Sequence, residues 1–169
     1  NIIMRLLDVL QAMPGIVLAI AISAALGPGL TNSVIALSIS SIPGYARMTR
    51  ASILNVRKME YLEAATSINC SNARIIWKHV LPNALSPLIV QATMGIAGAI
   101  MGAAMLSFIG LGVQPPTPEW GAMLSAGRNY LRDYPHLCIF PGVMIMMAVL
   151  SLNMLGDGLR DALDPKLKD

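Results

Sequence analysis

Few residues in this chain have the types and spacing that chemistry needs. No lysine follows a glycine, so there is no Walker-type phosphate loop, and His79 and His136 stand 57 residues apart with no metal-ligand partner three or four positions away. No catalytic residue and no metal site can be assigned. Cys70 falls in a charged stretch and Cys138 at the start of an apolar one, a placement that predicts free thiols. The 12 methionines are scattered, densest at Met144, Met146 and Met147, and adaptable packing is their role. What remains is a set of uncharged polar side chains embedded in apolar runs: Ser38, Ser40, Gln91, Thr93, Ser107 and Asn153. These are the candidates for lining a path through an apolar body. Gln91 and Asn153 carry the most weight, because an unpaired amide is costly to bury.

The elements that must hold these residues follow from the charges. The 169 residues are 55% hydrophobic and include only 12 Lys+Arg and 9 Asp+Glu, about half the charge of a soluble domain. No charged residue occurs between Asp8 and Arg47, between Lys78 and Glu119, or between Asp133 and Asp157. A bilayer core takes about 20 apolar residues per helix, so these gaps predict an all-α, polytopic membrane protein. Four spans are expected, at about 9–26, 32–46, 85–112 and 136–156, in one transmembrane domain. None holds an ionisable residue at its middle, where proton- or sodium-driven carriers place one despite a cost of roughly 2.5 to 3.5 kcal/mol. That argues against an ion-coupled carrier or channel; a purely structural membrane subunit is the other alternative.

Residues 47–82 cannot cross a membrane, since Arg47, Arg50, Arg57, Lys58, Arg74 and Lys78 face only Glu60 and Glu63. The three-residue spacing of Val56, Met59, Leu62 and Ala65 predicts a helix there. Ser71 is placed to cap a second short helix over Asn72 to Val80, with Pro82 stopping it. An elbow at Asn69 joins the two. Placing this loop on the cytoplasmic side puts ten basic residues inside and only Arg128 and Arg132 outside, the asymmetry that orients membrane proteins. The net charge of +3 thus reflects topology and gives no reason to expect a nucleic-acid partner. Gly98 and Gly102 form one small-residue face in the third run. Residues 113–135 begin with the stiff segment around Pro115, Pro116 and Pro118 and carry Glu119, Trp120 and Arg128, candidates for docking an extracytoplasmic partner.

The stretch EYLEAATSINCSNARIIWKHVLPNALSPLIV resembles the cytoplasmic loop of the membrane subunits of ATP-binding-cassette (ABC) importers, a helix-elbow-helix that docks on the ATPase. Glu63, Ala64 and Ala65 match its Glu-Ala-Ala, and Leu81 and Pro82 its closing Leu-Pro, while Asn69 stands where the family has glycine. Asparagine is the next best residue for positive φ, so the same bend is expected. The resemblance implies that Ala64 and Ala65 form a small face that seats in the ATPase.

Three further strings, MRLLDVLQAMPGIVLAIAI, LSFIGLGVQPPTPEWGAML and LNMLGDGLRDALDPKLKD, resemble permease subunits of the dipeptide, oligopeptide and nickel group of these importers. In that family the region corresponds to the last four of six spans, in keeping with a chain that opens on Asn1 and is expected to be part of a longer protein. Membership would imply the bacterial or archaeal cytoplasmic (inner) membrane, a homologous second permease, two ATPase subunits that use ATP and Mg, and an extracytoplasmic solute-binding protein. This chain itself would bind no cofactor.

Overall fold

A computed structural model describes residues 2–163, and every regular element among them is helical. Lys166 and Lys168, with the rest of the charged tail after Leu163, lie outside the described residues. The elements are α1 (Ile2–Leu10), α2 (Gly15–Leu26), α3 (Leu30–Val56), α4 (Glu60–Ser67), α5 (Asn72–Arg74), a π-helical turn (Ile75–Val80), α6 (Leu81–Phe108), α7 (Trp120–Gly127), a 3-10 turn (Arg128–Tyr130) and α8 (His136–Leu163). Helices α5 and α6 and the π turn between them form one helix of 37 residues, Asn72–Phe108. This helix and α8 are long and apolar enough to cross a membrane, and α1 with α2 makes a third candidate if the bent pair is one span. Helix α3, at 27 residues, has the length but a more polar sequence.

Helix α6 is the centre of the fold and packs against α3, α7 and α8, while α2 packs mainly on α3 and touches α6 more lightly. The α2–α3 turn needs Gly27 and Gly29, whose φ values are 89° and 141°. It is fastened by Asn32, whose Nδ2 donates to the carbonyls of Leu26 and Gly27 at 2.9 and 3.0 Å. One carbonyl at the end of α6 gathers the neighbouring helices. Leu111 O accepts from Ser23 Oγ of α2 and Ser33 Oγ of α3, both at 3.3 Å, and from the Gly29 amide at 3.4 Å.

The helices depart from the expected boundaries where prolines stand. The run 9–26 is not continuous: the chain bends by 83° between Leu10 and Gly15, because Pro14 is extended at the start of α2 and cannot carry α1 onward. Pro43 does not end the second run, and α3 passes through it to Val56, so the second run and the first ten residues of the 47–82 loop form one helix. Proline here loses a backbone bond and crowds the preceding turn, but Pro43 is buried among packed neighbours that hold the helix in line. Pro82 likewise fails to stop the helix that Ser71 starts. The preceding turn widens instead, with the Leu81 amide donating to Ile76 O five residues back, and a wide turn relieves the clash of the proline ring with the carbonyl four residues before it. The third helix ends at Phe108 rather than 112, and the last runs on to Leu163.

Candidate coupling and pathway sites

The loop between α3 and the long helix is built on a small core. Val56 from the end of α3, Leu62 from α4, Val80 from the π turn and Ala84 from α6 are buried together, with Ile53 and Ile75 against them. Of the four residues at three-residue spacing, Val56, Leu62 and Ala65 face inward, whereas Met59 is exposed at the start of α4. Ser52 adds a polar tie that the sequence did not reveal: it is buried and donates to Ala84 O at 3.2 Å, pinning α3 to α6. Asn69 makes the elbow with φ 58°, and Ser71 Oγ accepts from the Arg74 amide at 3.4 Å.

The helix splits the Glu-Ala-Ala residues between two faces. Ala65 is 7% exposed and belongs to the inner face, whereas Ala64 beside it is exposed. Successive helical residues are about 100° apart, and Leu62 already fixes which side is buried. Glu63 and Ala64 are exposed, as are Tyr61 and Ile68 to either side of them and Trp77 on the π turn. Leu81 is half-buried and Pro82 exposed.

A groove of about 570 Å³ runs between α3 and α6. Ser38 and Ser40 line one wall and Gln91 the other, and among the described residues no charged side chain borders it. Small residues open the space, among them Gly44, Gly95 and Ala99. Tyr45 spans the groove near its end, its hydroxyl donating to Gln91 O at 3.4 Å. The other three polar candidates lie elsewhere. Thr93 back-bonds to Ile89 O at 3.1 Å and turns its methyl toward Gly156 of α8. Ser107 is buried and accepts from the Val113 amide at 3.0 Å, a turn-forming role. Asn153 is half-buried on α8, away from the groove. Gly98 borders the groove with open space before it, while a side chain at Gly102 would strike Leu37 of α3, so the two glycines do different things.

At the opposite end of α6, the chain after the prolines folds back as α7. Gly121 sits against the backbone of Ala104 and Gly127 against Leu137 and Cys138, so α7 wedges between α6 and α8. The two glycines were the available signal, spaced six apart in an apolar octapeptide. Glu119 caps this helix, its carboxylate accepting from the Ala122 amide at 2.8 Å. Trp120 is half-buried, and the exposed Arg128 lies over the Phe108 ring, 5.6 Å from its centroid.

Comparison with protein families matches residues 1–169, the whole chain, to the binding-protein-dependent transport system inner membrane component. The chain belongs to this family. Its members are inner-membrane proteins by that description, in agreement with the apolar helices found here. The chain is 50% identical over 168 residues to the di/tripeptide transport system permease protein of Pseudomonas aeruginosa, covering 99% of this chain and 55% of that protein. It is 50% identical over 167 residues to the dipeptide transport system permease protein of Alkalihalophilus pseudofirmus, with 99% and 55% covered. With the glutathione transport system permease protein of Salmonella typhimurium it shares 51% over 166 residues, with 98% and 55% covered. The chain thus spans about half the length of these relatives.

Proposed function

We propose that this chain is the spanning, pathway-lining part of a permease subunit in an ATP-driven ABC importer for peptides or a related small solute. The observation that carries this is mechanical. One small core, Val56, Leu62, Val80 and Ala84, joins α4 to the ends of both α3 and α6, the two helices that wall the uncharged groove. A push on the exposed side of α4 is therefore delivered to both walls at once, and buried packing of this kind resists deformation. The partners are a second homologous permease, two ATPase subunits that bind ATP and Mg, and an extracytoplasmic solute-binding protein. The names of the relatives reported above speak for a peptide or glutathione.

An uncharged wall suits this work. The Ser38 hydroxyl, the Gln91 amide and the oxygen of Ser40, whose own proton goes to Leu37 O at 2.9 Å, offer hydrogen bonds to peptide main chain without favouring acidic or basic side chains, and weak contacts let the solute leave. In the proposed topology the α4 loop is cytoplasmic and α7 lies on the other side. A cysteine placed at Asn72 is then labelled only from the cytoplasm and one at Thr117 only from outside; labelling of both from one side overturns it. For the activity itself, ATP-dependent uptake of a labelled dipeptide is measured with the full-length subunit and its partners in proteoliposomes. Uptake that requires both the binding protein and ATP supports the proposal, and uptake driven by an ion gradient without ATP refutes it.

A further inference from the structure

Helix α1 stands apart from the groove and the coupling loop. On its wheel Ile2, Leu6 and Val9 share one stripe, with Arg5 and Asp8 opposite or beside it. Asp8 turns to α3 and accepts from the Arg47 guanidinium at 2.9 Å. Among the described residues nothing covers the apolar stripe, with Ile2, Leu6 and Val9 80%, 63% and 70% exposed, and exposed apolar surface continues through Met13 to Val17 of α2.

The level of α1 in the bilayer follows from α3. A helix rises about 1.5 Å per residue, so Arg47 and Arg50 stand about 26 and 30 Å from Leu30, roughly the thickness of a hydrocarbon core. Because α1 is bent by 83° from α2, it lies across the spans at this boundary rather than along them. Between α1 and α3 is a groove of about 740 Å³, with Ile2, Ile3 and Met4 on one wall and Thr49, Arg50 and Leu54 on the other. Among the described residues Arg50 is its one cation, and the ion pair at this end joins Arg47 to Asp8 and leaves Arg50 out.

We infer that this groove seats an anionic phospholipid of the inner leaflet, with Arg50 on the phosphate and Ile2 and Ile3 against the upper acyl chain. A guanidinium matches phosphate in geometry as well as charge. An amphipathic helix lying in the interface supplies the apolar wall, and its uncovered stripe rests in the acyl boundary.

The test uses the full-length protein in its complex, in nanodiscs of equal phosphatidylglycerol and phosphatidylcholine. A spin label on Leu6→Cys is expected to relax with oxygen and to be protected from a water-soluble relaxation agent. Native mass spectrometry is expected to retain phosphatidylglycerol in preference to phosphatidylcholine. Arg50→Gln should lower that retention at least fivefold, Arg50→Lys less, and Arg132→Gln not at all. A label shielded from both agents means that polypeptide covers the stripe, and that result overturns the inference. So does Arg50→Gln retention equal to wild type.

Discussion

Tyr45 of α3 occupies the space that a side chain at Gly95 of α6 would need: a Cβ at position 95 would collide with the Tyr45 hydroxyl. The same hydroxyl donates to Gln91 O one turn away, so ring and glycine set the separation of the two groove walls. Gly95→Val is therefore expected to force α3 and α6 apart, with an overpacking cost of about 1 to 3 kcal/mol. Tyr45→Phe removes one partly exposed hydrogen bond, for about 0.5 to 1.5 kcal/mol. Thermal unfolding of the purified complex checks both, and combining Gly95→Val with Tyr45→Ala should recover much of the loss.

At the elbow, φ of 58° at Asn69 is a conformation that Gly and Asn adopt and a β-branched residue resists. Asn69→Gly is expected to keep wild-type transport and thermal stability. Asn69→Val is expected to cost about 1 to 3 kcal/mol of local strain and to speed tryptic cleavage at Arg57 and Lys58. Equal cleavage of the two variants contradicts this.

Glu119 is expected to matter as a helix cap. Glu119→Ala removes the acceptor of the Ala122 amide, a loss of about 0.5 to 2 kcal/mol. Hydrogen exchange across Trp120 to Gly127 should accelerate, while Glu119→Asp should restore part of the protection. Loss of binding-protein stimulation with no change in exchange would return Glu119 to the docking surface.

Much of this fold was legible because charge and apolar runs in a membrane protein are dictated by the bilayer, which leaves few alternatives. The charge-free gaps between Asp8 and Arg47, between Lys78 and Glu119 and between Asp133 and Asp157 hold α2 and α6 entire and most of α3 and α8. Prolines were the weak point. Pro43 and Pro82 are strong stop signals in isolation, but a buried neighbour set and a widened turn carried the helix through both. Asn69 was readable since positive φ is a property of one residue's own backbone. The division of Ala64 from Ala65 was not, because which face of a short helix is buried depends on Val56 and Val80, distant in sequence. The pathway candidates divided in the same way. Ser38, Ser40 and Gln91 converge only because α3 and α6 pair, and Ser107 looks identical in sequence until its bond to the Val113 amide is seen.

Coupling through α4 rests on Ala64 being outside and Ala65 inside. Indole at position 64 adds bulk to an exposed face and leaves the buried core untouched, whereas at 65 it would disrupt that core. The decisive measurement is ATP-dependent dipeptide uptake by proteoliposomes holding the complete importer with Ala64→Trp, alongside the ATPase retained on the purified permease. The expected result is uptake reduced at least tenfold and ATPase retention weakened, with the permease inserted, paired and as thermally stable as wild type. Wild-type uptake by Ala64→Trp would contradict the placement of the coupling contact on the outer face of α4.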